Sequence, residues 1–263
     1  MCRHMAYLGP PVDLYTLLYT PERSLHTQSY APREQTHGTV NADGFGVGWY
    51  PEADPRAPDL DGATSDGTRP AEAPAPVRYR RSMPIWADSS FADVARVVRS
   101  GCVVAAVRDA TVGFPVDESC AQPFRGDGWL FSHNGAVRDY EALAERLGTP
   151  IPTGVLDARS PVDSAPLFAL AVRLWRKGEP LGDVLAGVVE AAWSCSPGRY
   201  NLLAADGGRL AATASGDTLY VRQGSDSVVV ASEPCDDEPG WRRVPDDSLV
   251  TATAHSVRIT PLG

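Results

Sequence analysis

Lysine is all but missing from this chain. Of 24 basic residues only Lys177 is a lysine, and 33 acidic residues outweigh them to a net charge of −9. Holding a phosphate backbone takes clustered positive charge, so no nucleic-acid partner is expected. Long hydrophobic runs are missing as well. No stretch approaches the roughly 20 apolar residues that cross a bilayer, so no membrane association is expected. The first residues lack the basic-then-apolar order of a signal peptide, and a cytoplasmic location is the expectation. Paired cysteines are the third absence. The five present (Cys2, Cys102, Cys120, Cys195 and Cys235) are scattered, odd in number and never spaced C-x-x-C. In a reducing compartment they read as free thiols rather than a disulfide frame or a zinc site.

What remains is the composition of a globular protein, 43% hydrophobic and 22% charged over 263 residues. That suffices for one large core, and residues 1–263 are expected to form a single unit. Arg3 to Leu8 reads as a strand and Val12 to Tyr19 as a short amphipathic helix. In Ala42 to Tyr50 (A-D-G-F-G-V-G-W-Y) glycines alternate with apolar side chains, as in a buried strand that another backbone approaches closely. Residues 51–76 are dense in Pro, Asp, Ala and Gly without periodicity, which predicts a mobile, Pro-rich surface insertion. Val77 to Arg81 resumes a strand, and Ser90 is the expected cap of a helix from Phe91 to Arg99. Apolar strands follow at Cys102 to Val107 and Trp129 to Ser132. Helices are predicted at Val137 to Leu147, Asp163 to Trp175 and Leu181 to Trp193. The last third is a series of short β-rich runs between Gly- and Asp-containing turns. Strands, then helices, then more strands predict an α+β sandwich of sheet on sheet with helices outside.

Four elements carry chemistry. Removal of Met1 before a small residue would leave Cys2 with a thiol and an α-amine on one residue. A free α-amine titrates at about 7.7–8 and a thiol at about 8.5, so the amine can take the thiol proton near neutrality. Ser132-His133-Asn134-Gly135, placed after an apolar strand, offers the Asn134 amide and the Gly135 N–H to a developing oxyanion; the plain alternative is an Asn-Gly turn. His133 reads as an inward-facing structural residue. Arg108, at the end of the other apolar strand and followed by Thr111, can hold a carboxylate in bidentate fashion, or form a surface ion pair. Asp163 begins a helix and is either a plain N-cap or the acceptor of a substrate ammonium. Taken together they describe one ligand, a glutamine-like γ-glutamyl group. Arg108 and Thr111 hold its α-carboxylate, Asp163 its α-ammonium, and Cys2 attacks the side-chain carbonyl beside Asn134 and Gly135. Neither cofactor nor metal is required.

With M-C-R-H, N-A-D-G-F-G-V-G-W-Y, V-R-D-A-T-V-G, S-H-N-G and V-D-S in this order, the sequence resembles the class II, N-terminal-cysteine glutamine amidotransferases of the Ntn hydrolases. The resemblance implies a four-layer αββα sandwich of two stacked, mainly antiparallel sheets, and the residue roles given above. Many members carry R-W-A-T-H-G where this chain has Asp109 and Val112, and an acidic residue where it has Ala165. The phrases M-C-R-H-M-A-Y-L-G, M-P-I-W-A-D and Q-P-F are similar to the ergothioneine-biosynthetic branch of the family. That implies removal of a γ-glutamyl group from a sulfoxide conjugate whose leaving amine carries a trimethylammonium. Trp86 with Asp88, or Trp49 with Tyr50, are the candidates to receive it, core packing being the alternative for each aromatic. The chain length leaves no room for a synthase domain, which favours hydrolysis of a larger amide. An ammonia-supplying glutaminase subunit, a glutathione-type γ-glutamyl peptide hydrolase and a non-catalytic γ-glutamyl-binding protein remain as other readings of the same residues.

Overall fold

Apolar residues on both faces of the early strands call for cover on both sides, and the chain supplies it as two sheets between helical layers. The computed structural model describes residues 2–52 and 75–263. The first part of the chain gives β1 (Arg3–Asp13), α1 (Leu14–Leu18), α2 (Leu25–Gln28), β2 (Phe45–Trp49), β3 (Val77–Arg81), α3 (Ser89–Val97) and β4 (Arg99–Val107). The middle gives β5 (Phe124–Gly126), β6 (Trp129–Val137), α4 (Tyr140–Leu147), α5 (Ser164–Trp175) and α6 (Leu181–Cys195). The remainder is β7 (Gly198–Ala205), β8 (Leu210–Ala214), β9 (Tyr220–Gln223), β10 (Val228–Ala231), β11 (Trp241–Arg243), β12 (Ser248–Thr253) and β13 (Ser256–Pro261).

One sheet has the order β11-β9-β10-β1-β4-β2-β3 and the other β13-β12-β8-β7-β6-β5. Three separate cores define four layers. Ala6, Leu8, Val104, Leu130, Leu203 and Ala212 meet between the sheets. Met5, Phe45 and Val103 pack outward against Leu14, Leu18 and Phe91 of α1 and α3. Phe131, Leu202 and Ala204 pack outward against α4 to α6 through Leu143, Phe168 and Val188. This is the expected αββα sandwich, α+β in class.

Boundaries differ where a polar residue does an unexpected job. β1 runs on to Asp13, whose carboxylate accepts from Thr16 N and so starts α1 later than predicted. Asp88, not Ser90, caps α3 by accepting from Phe91 N at 3.0 Å. Arg99 belongs to β4 rather than to that helix. Asp139 caps α4, so the helix starts at Tyr140 and Val137 remains in β6. The short strands β5 and β11 had no alternating pattern long enough to predict them. The 51–76 segment joins the antiparallel neighbours β2 and β3. All of it except Pro51, Glu52, Ala75 and Pro76 lies outside the described residues.

The glycines of β2 are there for close approach. A Cβ on Gly46 would collide with the backbone carbonyl of Gln122, which belongs to the loop leading into the second sheet. Backbone cannot swing aside as a side chain can, so Gly46→Ala is expected to cost about 2–4 kcal/mol of stability. Gly187, inside α6 with nothing within 4 Å of its would-be Cβ, is the contrast. There Gly→Ala is expected to add about 0.5–1 kcal/mol. Urea midpoints of the two variants should move in opposite directions.

Candidate active site

Cys2 and Arg108 sit at strand ends, Asp163 at a helix start, and Asn134 and Gly135 within a strand. Arg3 pairs with Val107 across β1 and β4, which sets Cys2 beside Arg108 at the same end of the sheet. The strand end is clamped by the N-A-D-G segment. Asp43 N donates to Arg108 O at 2.8 Å, Arg108 N to Gly44 O at 2.8 Å, and Ala110 N to the Asp43 carboxylate at 2.8 Å. Gly44 has a φ of 137°, a conformation that favours glycine, and a Cβ there would press on Arg81 O.

Arg108 is 4% exposed and directs one guanidinium nitrogen to Pro115 O at 2.9 Å. Its Nη2 is buried without a partner among the described residues. An unpaired charged donor at that depth is costly unless a ligand completes it. Thr111 is half-buried in the turn just beyond, its carbonyl accepting from Phe114 N at 3.1 Å.

Asp163 occupies the N-cap position of α5, yet its side chain makes no capping bond. It is buried, and its Oδ2 instead accepts from Val137 N at 3.3 Å. Four residues back on β6, the backbone of His133 shows the same outward turn, with its N–H donating to Gln122 Oε1 at 2.6 Å. Strand alternation therefore aims the N–H of Gly135 the same way, between these two and away from β7. Asn134 is fully buried; its Nδ2 reaches Ser232 Oγ at 3.4 Å and its Oδ1 has no partner among the described residues.

Cys2 is half-buried and its thiol is held above the usual range. Burial is the largest cause, and the Asp163 carboxylate adds to it. The positive chain terminus, the backbone N–H of Asp109 and the Arg108 guanidinium pull the other way. The resting thiol is therefore protonated near neutrality and needs a base beside it. A thiol, a guanidinium and a carboxylate lie close enough to act on one another here, and Val137 N ties the carboxylate to β6.

A sequence profile described as glutamine amidotransferases, class II, matches residues 20–225. The chain belongs to the class II glutamine amidotransferases. It is also 43% identical over its full length to a γ-glutamyl-hercynylcysteine sulfoxide hydrolase of Mycolicibacterium smegmatis, all of which is covered. A protein of the same name from Mycobacterium tuberculosis is 42% identical over 100% of this chain and 97% of its own. Among solved structures, a glutamine aminotransferase class-II domain protein from Silicibacter pomeroyi superposes with a TM-score of 0.64. It is 23% identical and fully covered on both sides. That likeness speaks for the fold.

In this chain S-H-N-G does not follow the strand as expected, nor is it the alternative Asn-Gly turn. It lies inside β6, with Asn134 paired to Asn201 and Gly135 to Tyr200. Arg199 O and the His133 ring fill the space that a Cβ on Gly135 would need. Three leaving-group candidates, Trp49, Asp88 and Tyr50, are put to structural use. Trp49 stands at the other end of β2 from Phe45, the residue level with Val107, and packs into the outer core. Asp88 is taken up by capping α3 and by the Tyr79 hydroxyl at 2.7 Å. Trp86 is 40% exposed, edge-to-face with Tyr30 at 5.8 Å. Tyr50, the other aromatic, donates to Gly128 O and Ala205 O and is core.

Sequence reasoning missed the buried polar layer behind the site. His4 Nδ1 lies 3.1 Å from Ser132 Oγ, which donates to Gln122 Oε1 at 2.8 Å. Arg3, fully buried, reaches Gln35 and Thr218. The only local signals were the phrases M-C-R-H and Q-P-F. Among the described residues no cluster of His, Cys, Asp and Glu is arranged to hold a metal ion.

The pKa of His4 is pushed down to about 3 by burial, then by the charges of His133 and Arg3. Unfolded, the ring takes its proton near 6.5; folded, it resists until far lower. Its contribution is therefore fully present above 6.5 and is lost as pH falls towards 3. At pH 5 the loss is about 2 kcal/mol relative to pH 7.5. His4→Asn, which keeps a donor toward Ser132 but cannot titrate, should lose less stability than wild type over that interval, as read by urea midpoints.

Proposed function

We propose that this chain hydrolyses the γ-glutamyl amide bond of γ-glutamyl-hercynylcysteine sulfoxide, releasing glutamate and hercynylcysteine sulfoxide by way of a thioester on Cys2. The observation that carries the reading is the full-length likeness to the mycobacterial hydrolases of that name. The donor half of the substrate is supported separately by residue chemistry. Arg108 Nη2, buried and without a partner among the described residues, is matched to an α-carboxylate and Asp163 to an α-ammonium.

After Met1 is removed, the Cys2 α-amine takes the thiol proton and the sulfur attacks the γ-carbonyl. The oxyanion is met by the Gly135 N–H and the Asn134 amide. Collapse breaks the C–N bond, and the proton held by the α-ammonium passes to the leaving amine. Water then attacks the thioester with the α-amine as base, releasing glutamate and restoring the thiol. Trp86, open to solvent beside Tyr30, is the aromatic surface offered to the trimethylammonium of the leaving group.

Steady-state kinetics on γ-glutamyl-hercynylcysteine sulfoxide, glutathione and L-glutamine test the substrate. The sulfoxide conjugate is expected to be preferred in kcat/KM by orders of magnitude, and preference for glutamine would point to an ammonia-supplying subunit instead. Cys2→Ala is expected to abolish turnover and leave the fold intact. The rate should climb with pH until the α-amine loses its proton at about 8.

A further inference from the structure

Asp163 has two protein donors within reach, one at each carboxylate oxygen, and each donor that points at the carboxylate takes a lone pair that a substrate ammonium could use. Oδ2 is tethered by Val137 N–H at 3.3 Å. Oδ1 lies 3.3 Å from the Ser164 hydroxyl, whose other near acceptor is His133 Nδ1 at 3.0 Å. The fate of that single hydroxyl proton decides whether Oδ1 offers both lone pairs to a ligand or shares them with Ser164.

The surrounding bonds fix the answer. His133 Nε2 faces the carbonyl oxygen of Arg199 at 2.9 Å, and a carbonyl can only accept, so Nε2 carries the hydrogen. In the neutral ring Nδ1 is then a bare acceptor, and Ser164 is the donor that can satisfy it. Gln122 completes the arrangement. Its Oε1 accepts from His133 N at 2.6 Å and from Ser132 Oγ at 2.8 Å. The amide must therefore present Nε2 to Ser164 Oγ, which it meets at 3.0 Å. Ser164 thus accepts from Gln122 and donates to His133, and its proton points away from Asp163. All four residues are buried.

We propose that Gln122, Ser164 and His133 form a positioning relay that keeps Asp163 Oδ1 open for the α-ammonium of the γ-glutamyl group. The inference rests on the assignment of Asp163 to that ammonium. None of the three touches the reacting atoms. Their effect is on capture of the amino-acid end, not on bond cleavage.

The test pairs two substrates with two positions in the full chain. One substrate is the γ-glutamyl conjugate and the other its glutaryl analogue, which lacks the α-amine. Loss of one buried hydrogen bond corresponds to about a fivefold to tenfold change. His133→Phe, which removes the acceptor and frees the Ser164 hydroxyl to turn onto Oδ1, is expected to raise KM for the γ-glutamyl substrate by that factor with kcat little changed and to leave kcat/KM for the glutaryl analogue alone. Adding Ser164→Ala to His133→Phe leaves no hydroxyl to turn and should restore the KM; failure to restore it would overturn the relay. In wild type, long-range ¹H–¹⁵N spectra should show His133 as the Nε2–H tautomer, with Nδ1 shifting in Ser164→Ala as it loses its donor. Equal losses on both substrates, or the Nδ1–H tautomer, would overturn the relay. Asp163→Asn separates the two claims. If it discriminates between the substrates and His133→Phe does not, only the relay falls; if it does not discriminate, the ammonium assignment fails and the relay with it.

Discussion

The pairing of Arg3 with Val107 decides where Cys2, the proposed nucleophile, stands. A strand has a period of two, so a slip of one residue would turn Cys2 to the other face and move it from Arg108. Register here is held by burial on both faces. His4, Ala6 and Leu8 point between the sheets, while Met5 and Tyr7 point to the outer helices. Arg3 anchors the same end through Gln35 in the loop that precedes β2. Chemistry at the first residues of a chain, where fraying is the rule, is possible because those residues are core.

From that constraint the electrostatics follow. Arg108 and Asp163 are both buried and are kept apart, each tied by backbone groups rather than by each other. A direct ion pair would satisfy them and close the site. Holding them separately leaves an unpaired guanidinium nitrogen, at a cost in folding stability that a zwitterionic ligand can offset. The Gly135 N–H is aimed by the same strand whose neighbouring amides already bind Gln122 and Asp163. Donors fixed in this way need little rearrangement as charge develops on the oxyanion.

Much of this was legible in the residues. The layered fold follows from helical and strand periodicity, and the glycines of β2 were read correctly as a place of close approach. The same logic applied to Gly135 was masked because Asn-Gly is also the commonest short turn signal, and only the position of Arg199 O reveals the crowding. Asp88 and Ser90 are both good caps, and sequence alone does not say which one meets the first free N–H. Asp163 looks like a cap by position; what it binds instead is Val137 N, 26 residues away in the chain. Gln122 lies in Q-P-F and Ser164 in V-D-S, but neither phrase says what the side chain bonds to, since a buried polar network is assembled by long-range packing. The leaving-group surface was the least legible part. Trp49 and Asp88 have the right chemistry, but β2 and α3 put that chemistry to structural use.

The account stands on Cys2 as an N-terminal nucleophile that carries the γ-glutamyl group. Intact-mass spectrometry of the full chain, quenched with acid during turnover of a slow γ-glutamyl substrate, tests this most directly. The predicted result is a chain lacking Met1 and heavier by one γ-glutamyl acyl group, located on Cys2 by peptide mapping and absent from Cys2→Ala. Full activity in a chain that retains Met1, or an acyl group on any other residue, would contradict it.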